Sequence, residues 1–220
     1  MSLPDDLKAR VMAAAHEEPS PTIDEERRRR RLIGVVAVAI ALAGFVAAGG
    51  VHLGQRAQAL VVGSAGGAAL IALWAASIAL SRGGSMLGRP RWQLVTVALA
   101  APLLLVTWKL LWSARFAGGL AAVAGRPGLR CLGLSLALAI APLVAILWAR
   151  RGRDSEHPRV LGAAAAVAVG AVVWIAVDGW CPIGDPSHVL LGHFLPLALL
   201  GVIGALVGER VLGVKTERRR

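Results

Sequence analysis

Charge is what this chain has least of: Asp, Glu, Lys and Arg make up 17% of its 220 residues, against about 25% in soluble domains. With 56% of residues apolar and a mean hydropathy of +0.66, a water-soluble globule is disfavoured. Cysteine is nearly missing as well. There are two, Cys131 and Cys181, with no Cys-x-x-Cys and no second pair to receive electrons, which argues against a catalytic disulfide exchanger. Acidic residues are absent from six long uncharged runs. Ion-driven transporters need ionisable groups or broken helices around a central site, so that class is disfavoured too.

The runs themselves are Leu32 to Gln55, Ala57 to Ser81, Trp92 to Trp108, Cys131 to Ala149, Val160 to Val177 and Pro186 to Gly208. About 20 residues at 1.5 Å each cross a hydrocarbon core of roughly 30 Å. Because a bilayer satisfies no backbone hydrogen bond, a span is a helix or part of a closed barrel, and no period-2 alternation of barrel strands is seen. The expected architecture is all-α: a polytopic membrane protein, a bundle of six transmembrane helices preceded by a short cytoplasmic helix. The expected segments are a tail over 1–31, a membrane domain over 32–208 and a basic tail over 209–220. Spans are placed at about 32–51, 60–80, 92–111, 131–149, 160–177 and 188–207. The fifth is expected to be the weakest, since Ala163 to Ala166 add little hydrophobicity. The first follows 31 polar residues and is not read as a cleaved signal peptide.

The formal charge of +11 would suggest nucleic acid in a soluble protein. Its distribution points elsewhere. With the N-terminus inside, the cytoplasmic segments hold 19 Lys and Arg and the opposite side holds Arg56, Arg115, Arg126 and Arg130. This split is a positive-inside signal that is expected to put both termini in the cytoplasm. Trp92 and Trp148 fall at inner ends, and Trp108, Trp112, Trp174 and Trp180 at outer ends, as interface anchors do. Lys109, between two of them, is expected to snorkel to the interface.

Soluble segments are short, so recognition must be sought in three places. In the tail, Ser2 caps a helix whose Leu3, Leu7 and Val11 recur at i, i+4 and i+8. So short a helix is marginal alone; a protein partner taking the stripe into a groove is preferred to a membrane surface, which Asp5 and Asp6 oppose. The run Arg27 to Arg31 abuts the first span and reads as its topology anchor. On the outer face, Cys131 begins the fourth span and Cys181 lies in the loop Asp178-Gly-Trp-Cys-Pro-Ile-Gly-Asp-Pro-Ser-His188. Two thiols there suit a disulfide or a soft metal ion. Further ligand candidates are His188, His193, Asp178, Asp185 and His52. Asp185-Pro186 reads as an N-cap with proline in the first turn. His188 and His193 then lie about 140° apart on an α-helix and cannot share an ion unless the helix is distorted near Pro196, so His188 is favoured. The spacings Gly63-x3-Gly67 and Gly204-x3-Gly208 permit close helix approach.

Taken together, the tail Leu3-Pro-Asp-Asp-Leu-Lys-Ala-Arg-Val-Met-Ala-Ala-Ala, six apolar runs with no other domain, and Cys131 and Cys181 before a last span with Leu190-Leu-Gly-His-Phe-Leu-Pro196 resemble the NrsF-type membrane anti-sigma factors. The resemblance implies a regulator, not an enzyme, that holds a sigma factor of the extracytoplasmic-function class at the membrane. Release would follow oxidative or heavy-metal stress at outward-facing cysteines, here Cys131 and Cys181, with Leu3, Leu7 and Val11 the expected contact for the partner. No cofactor is implied beyond a transient heavy-metal ion at those thiols, with His188 as a further ligand. The tail has one histidine, His16, and no cysteine, so no metal site is expected there. No direct nucleic-acid contact is expected, and no oligomeric state is implied. The alternatives are a small transporter or channel with an outer Cys/His entry site, and a thiol-redox membrane enzyme. The topology itself is testable: alkaline phosphatase fused after Arg126 should be active and fused after Arg153 inactive, and the reverse pattern would invert the chain.

Overall fold

A computed structural model describes residues 6, 9, 23–51, 57–80, 89–116, 120, 128–151 and 156–213. Six helices account for most of them: α1 (Ile23–Ala47), α2 (Gln58–Ala79), α3 (Arg91–Ser113), α4 (Leu129–Ala149), α5 (Pro158–Trp180) and α6 (Pro186–Leu212). No strand occurs among the described residues, so the all-α expectation holds. Asp6 and Ala9 are helical, in keeping with a short helix in the tail. Leu3, Leu7 and Val11 lie outside the described residues, as do His16 and His52.

The helices α2 to α6 are each long and apolar enough to cross a membrane. In α1 the apolar part is Arg31–Ala47, 17 residues, or about 25 Å at helical rise. The helix does not begin at Leu32. It starts at Ile23 and runs through all five arginines, because arginine is a good helix former and Asp24 and Glu25 complement the positive end of the helix dipole.

Side-chain contacts fix which helix ends lie together. The Arg29 guanidinium sits over the Trp148 ring at 5.8 Å, joining the start of α1 to the end of α4. Arg150 donates to Ala79 O at 3.0 Å and also to Leu80 O, meeting carbonyls that the end of α2 leaves unpaired. Arg159 pairs with Glu209 at 2.7 Å across the start of α5 and the end of α6. At the opposite end Trp180 Nε1 donates to Ala48 O at 2.9 Å. Trp108 Nε1 donates to Gly63 O at 3.1 Å and Trp112 Nε1 to Leu60 O at 3.0 Å. One end of the bundle is therefore rich in arginine, and the other carries both cysteines.

At the centre stands α5, touched by α2, α3, α4 and α6, while α1 packs on the outside of α4. Of the most apolar stretch of α5, 72% is buried, against 33–39% for the other four. The fifth run was expected to be the weakest, and the structure reverses this: it is the most hydropathic of the five. Ala164, Ala165, Ala166 and Ala168 are small enough to let helices close on it from several sides.

The closest approach is between α5 and α6. A Cβ built on Gly162 would lie 2.1 Å from Gly204 O and 2.8 Å from the Gly208 Cα, so backbone meets backbone. The other glycine spacing is also filled from within the chain, since a Cβ on Gly63 or Gly67 would strike the Trp112 or Trp108 indole at 1.9 and 2.0 Å. Those indoles stack with centroids 5.6 Å apart. Gly162→Ala should therefore lower stability in detergent by about 1–3 kcal/mol, the usual cost of overpacking. Gly66→Ala, with nothing within 4 Å of the new methyl, should be neutral or mildly stabilising, and thermal unfolding of the two variants side by side reads the difference.

Candidate functional site

The end of the bundle opposite the arginines brings four soft or borderline ligands together. Cys131, in the first turn of α4, is reached through Gly128, whose φ of +87° precedes the helix and suits only glycine without strain. Cys181 follows α5 directly, in the five-residue segment before α6. His188 lies in the first turn of α6. There the Asp185 carboxylate accepts from His188 N at 3.0 Å and from the Ser187 hydroxyl, as the expected N-cap. These bonds hold the Asp185 carboxyl below its ordinary pKa, the Ser187 hydroxyl contributing most and the His188 amide next.

His193 completes the group by way of a π-helical turn, Leu190–Phe194. Pro196 has no N–H for the carbonyl of Gly192 and its ring crowds that carbonyl, so the preceding turn widens. In a π turn the repeat is nearer five residues. His188 and His193, which a regular helix would set about 140° apart, thus face the same way with ring centroids 5.8 Å apart. The distortion that sequence reasoning made a condition for a shared site is present. Gly192 lies against Gly128, where an added Cβ would meet Gly128 O at 3.0 Å and the Cys131 Cβ at 3.1 Å. That glycine contact brings the turn up to α4.

The ligand atoms of Cys131, Cys181, His188 and His193 all lie within 4.8 Å of one another, and all four residues are buried. His188 Nε2 stands 3.4 Å from the Cys131 Sγ and 3.2 Å from the Cys181 Sγ. Both cysteines are free thiols. The Cys181 thiol is held below its ordinary pKa by the hydrogen bond from the Cys131 thiol, against the opposing pull of burial. One thiol can thus steady the other as a thiolate, the form that attacks disulfides and binds metal. The donor set, two sulfurs and two imidazoles, is one that suits a metal ion of the zinc type.

Two other candidates are occupied elsewhere. Asp185 is the helix cap. Asp178, in the last turn of α5, forms an ion pair with Lys109 of α3 and accepts from the Ser64 hydroxyl of α2 at 2.7 Å. Lys109 and Asp178 are each 2% exposed. Lys109 therefore does not snorkel to the interface. It pairs inward with Asp178, whose other carboxylate oxygen accepts from the Ser64 hydroxyl, where two helices converge on α5. Nor is Trp174 an interface anchor: it is 3% exposed and its ring packs on His193 with centroids 5.1 Å apart. What sequence reasoning missed here is this triad and the indole beneath the imidazole. The available signal was a lone Lys and a lone Asp, of opposite sign, at the same end of two helices that are otherwise uncharged beyond their first two residues.

Comparison with known proteins gives one finding. A family model described as the negative regulator of sigma F matches residues 13–213. No curated protein and no solved structure matches.

The ion pair yields a direct test. Lys109→Met should cost about 3–5 kcal/mol by leaving the Asp178 carboxylate buried without its partner. Removing both charges together, as Lys109→Met with Asp178→Leu, should restore most of that loss. Equal instability of the single and double variants in a detergent unfolding assay would refute the pairing.

Proposed function

The chain belongs to the family of negative regulators of sigma F, and from that premise we propose a membrane-bound anti-sigma factor that holds a sigma factor of the extracytoplasmic-function class. In this reading α1 to α6 all cross the bacterial inner membrane, the arginine-rich end is cytoplasmic, and both termini face the cytoplasm. The family match along residues 13–213 carries the anti-sigma role. The arginine bias between the two ends supports the orientation. The protein acts by binding and catalyses nothing. Any effect on transcription runs through the captured sigma factor, not through DNA held by the arginines.

Sigma capture is assigned to the tail stripe Leu3, Leu7 and Val11, on the strength of its i, i+4, i+8 spacing. Sensing is assigned to Cys131 and Cys181 on the outward face, in answer to oxidative or heavy-metal stress. The two sulfurs lie within 4.8 Å, against about 2 Å in a disulfide. Hydrogen peroxide would take two electrons and two protons from the pair, leaving a disulfide and two waters. A soft metal ion would instead displace the thiol protons. Either event ties the start of α4 to the α5–α6 connection, and through α6 reaches the arginine-rich end.

One observation favours the second reading, a small transporter or channel. A buried ion pair inside a membrane bundle is the kind of group transport proteins use. Lys109 and Asp178 satisfy each other, and Asp178 also accepts from Ser64, which suits a fixed clamp better than a carrier site. Transport into proteoliposomes that depends on Cys181 would reverse that preference.

Co-purification from detergent decides the main reading. The wild type should retain a sigma factor, and Leu7→Asp or Val11→Asp should reduce the retained amount about tenfold or more, as expected when a charge enters an apolar groove. Cys131→Ser with Cys181→Ser should keep the capture and abolish release by peroxide or cadmium. Equal capture by the tail variants, or no captured sigma factor at all, would overturn it.

A further inference from the structure

We propose that Cys131, Cys181, His188 and His193 form a preorganised four-coordinate site for one thiophilic divalent cation of the zinc and cadmium class, in which His193 is a ligand in its own right. The inference rests on the reading of the cysteine pair as the sensing site and goes beyond it by closing the ligand set.

The geometry is close to what such an ion demands. A tetrahedral ion with bonds of about 2.3 Å to sulfur and about 2.0–2.1 Å to nitrogen sets its ligand atoms roughly 3.3–3.8 Å apart. Here the sulfur-to-nitrogen separations at His188 are 3.4 and 3.2 Å, and none among the four ligand atoms exceeds 4.8 Å. Settling onto an ion asks for shifts on the order of 1 Å. The second observation concerns His193. It is 2% exposed, and neither ring nitrogen has a hydrogen-bond partner, although buried polar atoms nearly always have one. Its ring is seated on Trp174 and its turn is displaced toward α4 by the glycine contact of Gly192 with Gly128. The fold thus holds an imidazole whose ring nitrogens lack a hydrogen-bond partner beside two thiols and a second imidazole. A metal ion is the partner that arrangement suits.

Ion class follows from the donors. Two thiolates cancel the charge of a divalent cation, so the filled site is neutral where burial penalises net charge. Two sulfurs and two nitrogens favour zinc, cadmium or cobalt over calcium and magnesium, which require oxygen. The nearest carboxylates are engaged, Asp178 by Lys109 and Ser64 and Asp185 by the helix cap.

The test uses the full chain, purified in detergent, reduced, chelator-treated and free of oxygen, with Co2+ as the optical probe. One equivalent should give the intense visible bands of tetrahedral cobalt with a sulfur-to-cobalt charge-transfer band, and one equivalent of Zn2+ should abolish both. Cys131→Ser and Cys181→Ser should each roughly halve the charge-transfer intensity, since each removes one of two sulfurs. His193→Gln should weaken Co2+ binding by about tenfold or more while keeping both sulfur contributions. A weak, octahedral wild-type spectrum overturns the proposal by itself, whatever the variants do. So does a His193→Gln protein with unchanged affinity and spectrum. Sigma capture, scored on the same preparation, separates the two readings. Capture with an octahedral spectrum removes the metal site alone, whereas a tetrahedral spectrum without capture removes the anti-sigma role alone.

Discussion

The closeness with which α6 lies against its neighbours governs this structure. At the arginine-rich end Gly204 and Gly208 meet Gly162 of α5 with backbone against backbone. At the other end Gly192 meets Gly128 ahead of α4. In a bilayer no hydrophobic gain drives helices together, so van der Waals contact at short range must do so, and only glycine permits that range. Pinned at both ends, α6 has little freedom to slide. Pro196 then widens the turn before it, and the imidazole of His193 is delivered to the cysteines as a consequence of packing.

Burial of α5 extends the same logic. A helix enclosed by four others can be thin, and its run of alanines is what makes it so. Its buried carboxylate, Asp178, is answered from two sides by Lys109 and Ser64. A lone charge in that position would be costly, and a satisfied pair is tolerable. The pair joins α2, α3 and α5 three residues before Cys181, so the loop that carries the thiol springs from a fixed base.

Much of the fold was legible because periodicity and charge are one-dimensional signals. Six uncharged runs gave six helices, and the Asp185-Pro186 pair gave the cap of the last. Counting spans put Cys131 and Cys181 at the same end, since two helices run between them, while their closeness comes from how α4 and α6 pack. Where the reading failed, it failed on partners. Lys109 was assigned to the interface because its own neighbours are tryptophans, and nothing in the segment around it points to Asp178, 69 residues away. Trp174 was assigned to a belt by position, though its ring lies under His193. The strength of the fifth run was misjudged because alanine was weighed as a poor contributor, while its value lies in what it lets approach.

What the sequence determined by itself was the helical architecture, the gathering of most described arginines at one end of the bundle, the placing of both thiols at the other end and the resemblance to a family of sigma regulators. These depend on hydrophobic length, charge counts and short motifs, which are complete within a few tens of residues. Only the tertiary structure decided that Lys109 and Asp178 neutralise each other, that both glycine spacings are consumed within the chain, and that His188 and His193 share one face. Each of those is a contact between segments far apart in the chain, set by helix crossings of backbone-level closeness. No local pattern records which glycine another glycine will meet.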